Sequence, residues 1–101
     1  MTAGPRPTVR LDKWLWHARF FRTRGLSAGA VAAGQVRVNG TKRLKPAFAV
    51  GAGDTLTFPQ GARIRVVRIV ALAAQRGPAA LAQQIYCDLD PQPVAAPSPL
   101  D

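Results

Sequence analysis

The 101-residue sequence predicts an α+β domain: two N-terminal helices packed on a small, mainly antiparallel β-sheet, with a short C-terminal helix. Three observations carry this. Apolar residues first recur at helical spacing, and after Gly34 at every second position. Asn39-Gly40, a dipeptide suited to a type I′ turn, stands where a hairpin joining two short strands is needed.

The first helix is expected from about residue 11 to 20, because Leu11, Trp14, Leu15, Ala18 and Phe21 form one stripe. That leaves Lys13, Trp16, His17, Arg19 and Phe20 on its sides or facing outward. Arg22-Thr23-Arg24 interrupts it, and Thr23 is placed to cap a second helix with Leu26, Ala30, Val31 and Ala33 on one side. Gly34 stands where a left-handed residue ends a helix. Val36 and Val38 then alternate with Gln35 and Arg37. Leu44, Phe48 and Val50 lie in a less regular connection broken by Pro46. Thr55-Leu56-Thr57-Phe58 and the β-branched run from Ile64 to Val70 read as strands, with Arg63, Arg65 and Arg68 on the solvated face. Gly77-Pro78 starts a short Ala-rich helix expected to reach Tyr86.

Charge is distributed unevenly. Residues 1–45 carry ten Lys and Arg against Asp12 alone, while residues 46–101 carry four against four, so the whole excess of +9 lies in the first half. A compact half-domain at that charge repels itself unless a polyanion offsets it, nucleic acid first and an anionic membrane surface second. Eleven of the fourteen basic residues are Arg, whose planar fork suits phosphates and base edges. No apolar run approaches the roughly 18–20 residues of a membrane span, and the lone Cys87 has no partner for a disulfide. A soluble protein of the reducing cytoplasm, without membrane contact, is expected.

The inventory argues against catalysis and against a metal or other cofactor. His17 has no second His or Cys near it, Ser27 has no base, and Gly51-Ala52-Gly53 lacks the spacing of a phosphate loop. A binding surface has more to draw on. Arg22 and Arg24 flank the start of the second helix, whose amides and dipole attract anions. Lys42, Arg43 and Lys45 form a basic cluster beside the hairpin, and Trp16 offers a ring on which an unpaired base could stack. Trp14 reads as core, and Asp12 as a carboxylate favoured at a helix start that orients Arg10 or Arg22.

Arg10-Leu11-Asp12-Lys13-Trp14-Leu15-Trp16-His17-Ala18-Arg19-Phe20-Phe21-Arg22-Thr23-Arg24, followed by Gly34-Gln35-Val36-Arg37-Val38-Asn39-Gly40 and the Gly51-to-Asp54 turn, closely resembles the S4 RNA-binding domain. Within that family the sequence is most similar to the ribosome-associated heat-shock protein 15 group, which Gln75-Arg76-Gly77-Pro78-Ala79 and Tyr86 also resemble. The resemblance implies an α-L motif that contacts structured RNA, without catalysis. It further implies binding to large-subunit ribosomal RNA, notably free subunits still carrying a nascent chain on tRNA, in rescue after heat shock. Carried over by position, the RNA-facing residues are Arg10, Lys13, Arg19, Arg22, Arg24, Lys42, Arg43 and Lys45, to which the stacking ring of Trp16 is added from its own chemistry. Gly25 and Gly29 depart from the better helix formers or small polar residues that the family more often has in the second helix. The Pro-rich end departs from the longer charged helix and basic tail typical of the group.

The expected organisation is a flexible arm over residues 1–8, the S4 domain over 9–72, a helical appendage over 73–90 and a disordered Pro-rich tail over 91–101. The chain is expected to be a monomer away from the ribosome, with tRNA or DNA as further possible partners. Two rival readings belong to other classes: a protein-interaction module whose basic half is a generic surface, and a small DNA-binding protein. The second helix, rich in Gly and Ala, offers few base-reading side chains for the latter.

Overall fold

Residues 6–73 and 76–89 are described by the structure, a computed structural model. The tail over 91–101 and most of the N-terminal arm lie outside the described residues.

Strand β1 (Val9–Arg10) leads directly into helix α1 (Leu11–His17). Arg10 provides no side-chain cap. The first amides of α1 instead donate to the loop before strand β4 (Ala49–Val50): Leu11 N–H to the Phe48 carbonyl at 2.8 Å and Asp12 N–H to that of Pro46 at 3.1 Å. The supposed irregular connection therefore contains a strand, and β4 pairs with β1.

Helix α1 is shorter than the apolar stripe suggests. It ends at His17 in a left-handed turn at Arg19, with φ of 66°. Arg19 N–H donates to the Trp16 carbonyl and Phe20 N–H to that of Leu15, the paired closure of a Schellman end. This reversal exchanges two neighbours relative to the expected faces. Phe20 turns inward against Phe58 and Tyr86, with centroids 5.0 and 4.6 Å away, whereas Phe21 is only half-buried.

Helix α2 (Arg24–Ala32) begins as its sequence predicts, with Thr23 Oγ1 accepting the Leu26 amide at 3.1 Å. It ends in the same closure, Gly34 taking the left-handed position at φ 79°. Ala30 and Val31 are buried, but Leu26 is exposed. Ser27 Oγ donates to the Asp12 carbonyl at 2.8 Å and ties α2 to α1.

The main sheet has the order β3-β2-β5-β6-β7, formed by Thr41–Lys42, Arg37–Val38, Thr55–Gln60, Arg63–Ile69 and Tyr86–Asp88. Every described pairing is antiparallel. Asn39 and Gly40, at φ 52° and 86°, form the tight turn between β2 and β3. Val38, Leu56, Phe58, Val67 and Ile69 form a core with Leu11, Trp14, Leu15 and Val31 from the helices. Beyond β6, helix α3 (Ala79–Ala82) stops short of Tyr86, which instead opens β7 alongside β6.

The strand arginines divide between two faces. Arg63 and Arg65 lie on the same side as Val67, and Arg65 stacks its guanidinium 5.3 Å from the Phe20 centroid while pairing with Gln60 and Asp88. Arg68 alone faces the other way, opposite Thr55.

Candidate nucleic-acid interface

Asp12 organises the basic residues around the start of α1. Its side chain is almost wholly buried and accepts both Arg10 Nε and Arg10 Nη2 at 3.1 Å, a bidentate fork. Arg24 Nε approaches the second oxygen at 3.7 Å. Two cations thus share one carboxylate, which fixes their stems and leaves the cluster net positive. Hydrogen bonding to Asp12, reinforced by its charge, holds the Arg10 guanidinium above its ordinary proton affinity. Asp12 occupies the helix start as expected, but its partners are Arg10 and Arg24, with no bond to Arg22.

Lys13 is half-buried one residue further along α1, while Arg22 is exposed with no ion-pair partner among the described residues. Lys42 and Lys45 are exposed as well. The loop carrying Lys42, Arg43 and Lys45 runs from the end of α2 to the start of α1. Arg43 N–H donates to the Val36 carbonyl, and the Pro46 and Phe48 carbonyls receive α1. Arg43 stacks 4.4 Å from the Phe48 centroid, and these residues with Leu44 line a cleft of about 410 Å³. The fold therefore brings Arg10, Lys13 and Arg24 together with the approach to the basic loop.

Trp16 and Arg19 are engaged at the other end of α1. Arg19 Nε donates to the Gly77 carbonyl at 2.7 Å, and Arg76 Nε donates to the Trp16 carbonyl at 3.1 Å with its guanidinium 5.6 Å from that ring. These reciprocal bonds fasten residues 76–77 to α1. Nothing in the sequence signalled the role of Arg76, because the two contacts span 58 and 60 residues.

His17 does not face outward. It is buried and lines a cavity of about 210 Å³ with Ala73, Gly77, Pro78, Leu81, Ala82 and Ile85. Burial, and then the positive charge of Lys13, lower its pKa, with Arg24 adding to the effect and the Ala73 carbonyl opposing it. The imidazole is a neutral core group under α3. Among the described residues, no three His, Cys, Asp or Glu side chains gather as metal ligands, and no helix is long and apolar enough to cross a membrane.

The layered helices, the sheet and this basic rim define an S4 domain, and the S4 domain family profile matches residues 9–56. The chain is 47% identical over 78 residues to the heat shock protein 15 homolog of Aeromonas salmonicida, covering 77% of this chain and 58% of that protein. It is 44% identical over 86 residues to heat shock protein 15 of Escherichia coli strain K12, covering 85% and 64%. It thus spans about three-fifths of the length of these curated relatives. The trimeric structure of Vibrio cholerae heat shock protein 15 superposes with a TM-score of 0.76 at 43% identity, covering 81% of this chain and 82% of that one. The chain belongs to the S4 RNA-binding domain family, and within it to the heat shock protein 15 family.

Proposed function

We propose that this protein binds structured RNA of the large ribosomal subunit, as a non-catalytic factor acting on free subunits that carry a nascent chain on tRNA after heat stress. The observation that carries the reading is the convergence of Arg10 and Arg24 on buried Asp12 at the start of α1. A charge arrangement that holds two arginines in place yet stays net positive suits a rigid phosphate-bearing partner. Arg10, Lys13, Arg22, Arg24, Lys42, Arg43 and Lys45 supply the main contacts, while Trp16 and Arg19 contribute from the edge fastened to residues 76–77. The names of the relatives support the stress role, and their family supports the RNA.

Sedimentation with separated ribosomal subunits tests this. Cofractionation with free large subunits, increased by a retained peptidyl-tRNA, is the expected result. Absence from every ribosomal fraction removes the ribosomal reading. If about five or six phosphates are neutralised, log affinity falls against log salt with a slope of roughly −4 to −5.

A further inference from the structure

The five-stranded sheet has a second face, directed away from the helices. Lys42 stands opposite Arg37, Arg37 opposite Thr57, and Thr57 opposite Val66; two residues along, Thr55 stands opposite Arg68. Cross-strand partners project to the same side, and alternate residues to opposite sides. These side chains therefore share the face opposite the one that sends Val38, Leu56, Phe58, Val67 and Ile69 into the core.

Arg37, Lys42 and Arg68 are exposed there, and Thr55 and Thr57 are half-buried between them. None of the three cations has an ion-pair partner among the described residues; Arg37 makes a long 3.4 Å bond to the Gly40 carbonyl. Asp54 is turned toward Arg6, Asn39 and the Gly51 amide, and Asp88 toward Arg65, so no described acid offsets this face. Arg37 and Lys42 are directly opposed like charges, an arrangement that costs folding stability. Folding alone gives no reason for it.

We propose that this strip is a second RNA-binding surface, which takes the sugar-phosphate backbone of an extended single strand. It crosses β3, β2, β5 and β6, about 14 Å at the usual strand spacing. The cations meet phosphates, and the threonine hydroxyls bond phosphate or ribose oxygens between them. No aromatic residue lies on the strip, so contact is indifferent to sequence. The apolar residues of this face, exposed Ile64 and Val70 and half-buried Val66, lie along β6 and just past its end, beside Arg68 at one end of the strip, which leaves an acidic protein without a central apolar anchor among the cations. The inference rests on the RNA-binding reading and adds Arg37 and Arg68 as a second contact on the outer face of the sheet, which meets the first at Lys42, whose stem lies beside Gly34 at the end of α2.

The test compares the full chain with Arg37→Gln/Arg68→Gln on two probes, a short oligouridylate and a ribosomal RNA hairpin without single-stranded extensions. The double variant binds oligouridylate roughly tenfold more weakly, and its salt slope shrinks by about 1.4, at ~0.7 per phosphate contact on a single strand. Hairpin affinity stays unchanged, and the melting temperature does not fall, because Arg37→Gln removes the like-charge opposition to Lys42. Unchanged oligouridylate binding overturns the inference, as does an equal loss on both probes. Loss of a concentration-dependent self-association, with oligouridylate binding intact, identifies a contact between copies and also overturns it. If the wild type binds oligouridylate through the strip but not the hairpin, the inference stands and the structured-RNA reading falls.

Discussion

Asp12 holds Arg10 through two parallel bonds of 3.1 Å, so the carboxylate at the start of α1 restrains one of the cations proposed to contact RNA. Asp12→Asn keeps the side-chain volume but weakens the fork. The melting temperature should fall by about 5 °C, as expected for losing a charge-assisted contact in a domain this small. RNA affinity should fall severalfold even though the local charge becomes more positive, because the arginines lose their preset orientation. Parallel calorimetry and filter binding check both effects. An affinity gain would mean that net charge, rather than the orientation of the arginines, controls binding.

Arg22 and Arg24 differ in what they do for the fold. Arg22 is exposed without an ion pair among the described residues, whereas Arg24 reaches Asp12. Arg22→Ala should leave the melting temperature unchanged, weaken binding to structured RNA about tenfold and reduce the salt slope by about 1. Arg24→Ala should reduce both binding and stability. Salt-titrated binding of the two variants, beside their melting curves, separates these contributions.

Periodicity and capping chemistry made the two helices, Thr23, Gly34 and the Asn39-Gly40 turn legible, because each depends on residues within a few positions. The end of α1 was hidden because its left-handed residue is Arg19, where the usual signal is glycine. That reversal is what turned Phe20 inward. The burial of His17 was hidden for another reason: its cover is the segment containing Gly77, Pro78 and Leu81, whose position follows from tertiary packing. Charge arithmetic located the basic half. The sharing of Asp12 between Arg10 and Arg24 needed α2 to be docked on α1.

Buried His17 should make stability depend on pH near neutrality. Its pKa is lowered in the folded protein by burial and by Lys13, with Arg24 contributing, against the opposing Ala73 carbonyl. The unfolded chain therefore binds the proton more readily. The stabilising contribution is complete above the ordinary imidazole pKa and is lost as pH falls below it toward the folded value. Urea midpoints should decline from pH 8 to about pH 5, and His17→Gln should flatten that decline. The same slope in the variant would assign the effect to other groups.

Arg19 combines a backbone cost with a side-chain gain. Its φ of 66° is the left-handed conformation that disfavours a side chain, while its Nε holds the Gly77 carbonyl at 2.7 Å. Arg19→Gly relieves the first and loses the second; Arg19→Ala loses the bond and keeps the strain. The alanine variant should therefore be less stable than the glycine variant by about 1 kcal/mol. Both should release residues 76–77 from the end of α1, giving equal gains in amide exchange around Gly77 and equal losses of Arg76 stacking on Trp16. Equal stability of the two variants would mean that the turn relaxes out of the left-handed region when the Gly77 bond is cut, and that the bond is what holds Arg19 there.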